Sequence, residues 1–117
     1  MALQARYQMA HGRDPRPAAR QALEFLNRAV EVNPQAAPAY AVRSQVYRTL
    51  ALEARRRGED PTGFLRQAVA DGQAALQAHP YLVDAVLALA EAWLAQAEWD
   101  LHRDRSPTKA LTAARAA

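Results

Sequence analysis

Apolar residues along this chain recur at intervals of three and four. Between Pro61 and Pro80 they fall at Phe64, Leu65, Ala68, Val69, Ala75 and Leu76, which is one side of a helix. The spacing predicts a helix from Pro61 to about His79, where Pro80 stops it. A longer helix is predicted upstream, from about Pro38 to Arg57, ending at Gly58 as a C-cap. Another is predicted from about Leu82 to Arg103. No stretch alternates with period two, and β-branched and aromatic residues are sparse, so strands are not expected.

The punctuation between these elements repeats. Asp14-Pro15, Asp60-Pro61 and Ser106-Pro107 are spaced 46 residues apart. The same shift carries Gly12, Ala22, Ala29, Pro34 and Ala39 onto Gly58, Ala68, Ala75, Pro80 and Ala85 without a gap. It also carries Thr62, Leu65 and Ala68 onto Thr108, Leu111 and Ala114. Gly, Asp-Pro and the later Pro fix helix ends, so their recurrence marks a repeated hairpin and a stacked array. Asp60 is expected to accept from free N–H groups of the next turn, with Pro61 first in the helix. Arg55, Arg56 and Arg57 complement the dipole at the preceding helix end.

Composition narrows the picture further. Of 117 residues, 29 are Ala, so any core is thin and made by helices that approach closely. There is no cysteine, which excludes disulfides, thiolate metal sites and a Cys nucleophile. A reducing, cytoplasmic setting fits that absence. The apolar run near Val86–Ala97 is broken by Glu91 and Gln96 and is too short to cross a bilayer, so no membrane partner is expected. The pI of 9.8 comes mainly from 14 arginines, while the net charge is only +3. That mixed charge argues against nucleic acid as a partner.

The repeated hairpins resemble tetratricopeptide repeats, whose pattern is W-x2-L-G-x2-Y, then A-x3-F, a later Ala, and a terminal Pro. Tyr40, Arg43, Ser44 and Tyr47 match the first part in one unit, and Val86, Leu89, Ala90 and Trp93 in the next. The second part reads Ala22, Leu26, Ala29, Pro34, then Ala68, Gly72, Ala75, Pro80. The units are 46 residues where the family has about 34, with the excess between Tyr47 and Ala68. Arg43 and Gly72 replace apolar residues of the pattern. The resemblance implies an all-α chain of antiparallel hairpins stacked as a right-handed solenoid. It divides residues 1–117 into a partial unit (1–34), a full unit (35–80) and a partial unit (81–117), as in a fragment of a longer protein. The lengthened units and Gly-x-Asp-Pro turn also look like the repeat region that follows the kinase domain in large bacterial serine/threonine kinases. No kinase motif is present.

Candidate chemistry is weak. His11, His79 and His102 sit near predicted helix ends, where solvation explains them, so no metal or other cofactor is expected. No nucleophile–base set or carboxylate pair can be assembled, so an enzyme is not expected. Glu53, Glu98 and Asp100 read as a solvated face. Arg13, Arg55–Arg57, Arg103 and Arg105 form a basic ridge that Glu59, Asp60 and Asp104 neutralise. Tyr40, Tyr47 and Trp93 read as packing residues; Trp99 either covers the lengthened hairpin or lies exposed.

By resemblance, partners lie on the concave face, here Ala41, Gln45, Arg48 and Thr49 with Leu87, Glu91, Leu94 and Ala95. Ala41 and Leu87 stand where a carboxylate clamp needs Lys, so a helix or extended peptide is the expected partner. The function implied is non-catalytic protein–protein interaction or scaffolding. The alternatives are a free-standing adaptor that associates end to end, and, in third place, a nucleic-acid-binding helical protein. Ala75 is expected at a helix crossing, so Ala75→Asp should abolish the cooperative thermal transition followed by circular dichroism.

Overall fold

A computed structural model describes residues 14–104. It contains four helices and, among the described residues, no strand. They are α1 (Arg16–Val32), α2 (Ala37–Arg56), α3 (Thr62–Ala78) and α4 (Val83–Asp104). The bounds agree with the sequence pattern to within one or two residues. The third pair of the series, Ser106-Pro107, lies outside the described residues.

The helix ends follow from local chemistry. At the end of α2, Gly58 adopts φ +77°, where a side chain would be strained. Its N–H donates to the Arg55 carbonyl, and the Glu59 N–H donates to the Ala54 carbonyl at 2.8 Å. This pair of bonds is a Schellman motif and satisfies the last free carbonyls of the helix. Asp60 accepts from the Thr62 N–H at 3.0 Å, and Asp14 accepts from the Arg16 N–H at 3.0 Å. The Asp-Pro device therefore repeats in geometry as well as in sequence. Each Pro stands immediately before its helix, and its carbonyl accepts the first helical bond.

Short connections reverse the chain between helices. Arg43 meets Asp71, Ser44 meets Ala68, and Ala51 is grouped with Leu65, so α3 runs antiparallel to α2. Asn27 bonds Arg43, and Asp14 lies 3.7 Å from Arg57, so α1 is antiparallel to α2 as well. Gly72 faces Leu89, and Leu65 groups with Ala95, so α4 is antiparallel to α3. α2 touches all three other helices. α2 and α4 run side by side and parallel: Ala41 groups with Ala85 and Ala88, and Ala51 with Ala95. Their offset is close to the repeat interval of 46 residues.

The core is thin, as the composition requires. Its buried apolar residues are Ala except for Leu50, Leu65 and Leu89. Ser44 is buried and donates its hydroxyl to the Ala68 carbonyl at 2.6 Å, which ties α2 to the backbone of α3. Arg43 and Gly72, which depart from the apolar pattern, have separate explanations. Arg43 donates twice to the buried Asp71 carboxylate, at 2.8 Å each, and once to Asn27, joining α1, α2 and α3. Gly72 is small because the Leu89 backbone crosses it.

A β-carbon on Gly72 would lie 2.9 Å from the Leu89 Cα. In an open helix, Gly→Ala gains about 1 kcal/mol. Here the close approach reverses the sign, and Gly72→Ala should destabilise by roughly 1–3 kcal/mol, read from urea unfolding.

Candidate functional site

The parallel pair α2 and α4 presents one shared side. On α2 it carries Gln45, Arg48 and Thr49; on α4 it carries Leu87, Glu91 and Leu94. Arg48 and Glu91 pair across the two helices at 3.2 Å, each about a third exposed. The pair marks the middle of the strip. At that exposure it contributes little stability and serves mainly to set charge. Leu87 and Leu94 are at least half exposed.

Two of the residues expected on this side are elsewhere. Ala41 is buried at 1% exposure, because α4 lies over it together with Ala75, Ala85 and Ala88. Ala95 is likewise buried, against Ala51 and Leu65. Leu87 occupies the position 46 residues after Ala41, yet it stays open because no described helix covers α4 as α4 covers α2. Gln45 is exposed, and Thr49 is half-buried, its hydroxyl donating to the Gln45 carbonyl.

The strip continues further than the sequence reading placed it. Leu52 and Arg55 extend it on α2, and Glu98 and Leu101 on α4. Leu52 and Leu101 are exposed, and Arg55, Glu98, Leu101 and His102 line a shallow depression of about 230 Å³. Leu87, Leu94 and Leu101 are seven residues apart, as are Glu91 and Glu98, and Arg48 and Arg55. On α4 these five residues lie within an arc of roughly 80°. The sevenfold spacing is itself visible in the sequence.

The structural repeat positions divide in two. Ser44, Ala68 and Ala75 are buried; Ala22, Ala29, Tyr40 and Tyr47 are half-buried; the turn residues Pro34 and Pro80 are exposed. Tyr47 stacks on Phe64 at 6.5 Å, and Arg43 lies over the Tyr40 ring at 5.4 Å. Ala90 and Trp93, expected as packing residues, are exposed, Trp93 by 52%. They occupy the side of α4 that corresponds to the α3-covered side of α2, and no described element lies over it.

Trp99 packs against the Ala51–Leu65–Ala95 group, with Arg55 6.0 Å over its ring and His102 stacked at 5.4 Å. It therefore covers the lengthened hairpin. His79 ends α3, exposed, and His11 lies outside the described residues. Among the described residues, no group of three or more His, Asp or Glu is placed to hold a metal. No described helix is long and apolar enough to cross a membrane.

The basic ridge near the inner turn is neutralised, partly by a residue expected to be solvated. Glu53 is buried at 8% exposure, between Arg56 at 2.7 Å and Arg57 at 2.7 Å. Arg103 pairs with Asp100. Arg13 and Arg105 lie outside the described residues. The Arg16 guanidinium holds the Asp14 carboxyl down at about 2, helped by the Arg16 backbone N–H. The Thr62 hydroxyl and N–H lower Asp60, and Arg56, with Arg57, lowers Glu53.

No family model, curated protein or solved structure matches the chain.

The depressed carboxyls give a signed pH dependence. Their stabilisation is complete above the unfolded-state value of about 4 and is lost as pH falls toward the folded values. The melting temperature should hold steady above about pH 5 and fall between about pH 5 and 2. Asp14→Asn should make that fall shallower in thermal melts at stepped pH.

Proposed function

We propose that this chain is a non-catalytic interaction module that binds an amphipathic helix along the shared side of α2 and α4. The observation that carries this reading is the exposed heptad Leu87, Leu94 and Leu101, bordered by Glu91 and Glu98. Leucines at sevenfold spacing match the seam by which one helix packs along another, whereas an extended peptide repeats every two residues. The Arg48–Glu91 pair, with Arg55 and Glu98 one heptad further on, forms a charged row beside the leucines that would set the register of the guest helix. The preferred guest carries an apolar stripe flanked by charged residues.

The reading extends to the larger architecture. The antiparallel hairpins and the parallel offset of α2 and α4 support a tetratricopeptide-like stacked array. A bacterial signalling protein, such as a serine/threonine kinase with an accessory repeat region, is the parent that the turn motif favours. Among the described residues, Glu53, Asp71, Glu91 and Asp100 pair with arginines, which speaks against a nucleic-acid partner.

Leu94→Asp places a charge in the middle of the seam but at an exposed position. It should weaken binding of a labelled heptad-patterned helical peptide at least tenfold in fluorescence anisotropy, with a melting shift of only a few degrees. Equal binding by both proteins would sink the seam.

A further inference from the structure

The charged row between α2 and α4 is closed at one step and open at the next. Arg48 pairs with Glu91 at 3.2 Å. Arg55 and Glu98 stand in the same relation one heptad further on. Yet among the described residues Glu98 has no ion-pair partner. The difference lies in Trp99. Its ring attracts the Arg55 guanidinium, which lies 6.0 Å from the ring centre, and His102 stacks on the same ring at 5.4 Å. Trp99 is itself fixed by packing on Ala51, Leu65 and Ala95. The two unmatched charges therefore border a depression of about 230 Å³, which Leu101 and His102 complete.

We propose that this depression receives a tyrosine side chain of the guest helix, as the anchor at one end of the leucine seam. The inference rests on the guest-helix reading and gives it a specificity-determining contact. The ionised Glu98 carboxylate only accepts hydrogen bonds, and the Arg55 guanidinium only donates them. A phenol hydroxyl does both: it donates to Glu98 and accepts from Arg55. The exposed Leu101 side chain and the flat His102 imidazole offer an apolar edge and a planar face to its ring. Other guests match fewer of these groups. Leucine or phenylalanine leaves both charges without a partner. A carboxylate is repelled by Glu98, and a lysine or arginine by Arg55. A side-chain amide satisfies both charges but brings no ring to Leu101 and His102. The depression lies near the C-terminal ends of α2 and α4, so a tyrosine seated there fixes the register and the direction of the guest. Tyrosine is also a frequent anchor at protein interfaces, being large and rigid with one polar tip.

The test uses the full chain and labelled helical peptides with leucine at every seam position, or with Tyr or Phe at the first or the last of them. In fluorescence anisotropy, Tyr at one of the two ends should bind roughly fivefold tighter than Phe at the same place. At the other end the two should bind alike. Glu98→Ala should bring that Tyr-to-Phe ratio close to one, whatever it does to the all-leucine peptide. A small probe reads the depression without the seam: 4-ethylphenol should shift the imidazole proton signals of His102, and not those of His79, in nuclear magnetic resonance. Binding of the all-leucine peptide with no preference for Tyr and no response to 4-ethylphenol would overturn the anchor and leave the seam standing. A preference for Tyr that survives Glu98→Ala would overturn the anchor as well. A His102 response to 4-ethylphenol with no peptide bound would keep the phenol site and sink the seam. Silence of every probe would overturn both.

Discussion

Close approach of helix backbones is the constraint on which the other features rest. α4 crosses α3 where Gly72 leaves no room for a methyl group, and α2 is tied to α3 by a serine hydroxyl on a main-chain carbonyl. Contacts this close let a core of alanines fill its volume, because the backbones themselves supply much of the surface in contact. A larger residue at Ala68, Ala75, Ala85 or Ala92, each with essentially no exposure, would separate the helices and open gaps along their length.

The two crossings solve the same steric problem with different chemistry. Where α3 meets α4, glycine faces leucine. The positions 46 residues earlier are Leu26 on α1 and Arg43 on α2, so a long residue stands where Gly72 does. Arg43 then satisfies its guanidinium with Asp71 and Asn27, one partner on each neighbouring helix. Equivalent backbone positions thus tolerate different side chains, provided each crossing is completed locally.

Helix content and helix ends were legible in the sequence, because Gly58, Asp60, Pro61 and Pro80 act on their own neighbourhood. The thin core was legible from the alanine content. Much less legible was which side of each helix is closed. Ala41 and Leu87 occupy equivalent positions, yet one is buried and the other open, since a neighbour's presence is not encoded at the position itself. Trp93, expected in packing, lies open for the same reason. Glu53 was read as solvated because its burial depends on Arg56 and Arg57 folding back over it. The outer half of the strip, Leu52, Arg55, Glu98 and Leu101, follows a sevenfold spacing that the 46-residue interval does not express.

The alanine core also bears on how the chain responds to temperature. The heat-capacity change of unfolding follows the apolar area newly wetted, about 12–15 cal/mol/K per residue in ordinary domains. Helices held together through Ala68, Ala75, Ala85 and Ala92 expose less such area when they part. A smaller heat-capacity change flattens the curve of stability against temperature.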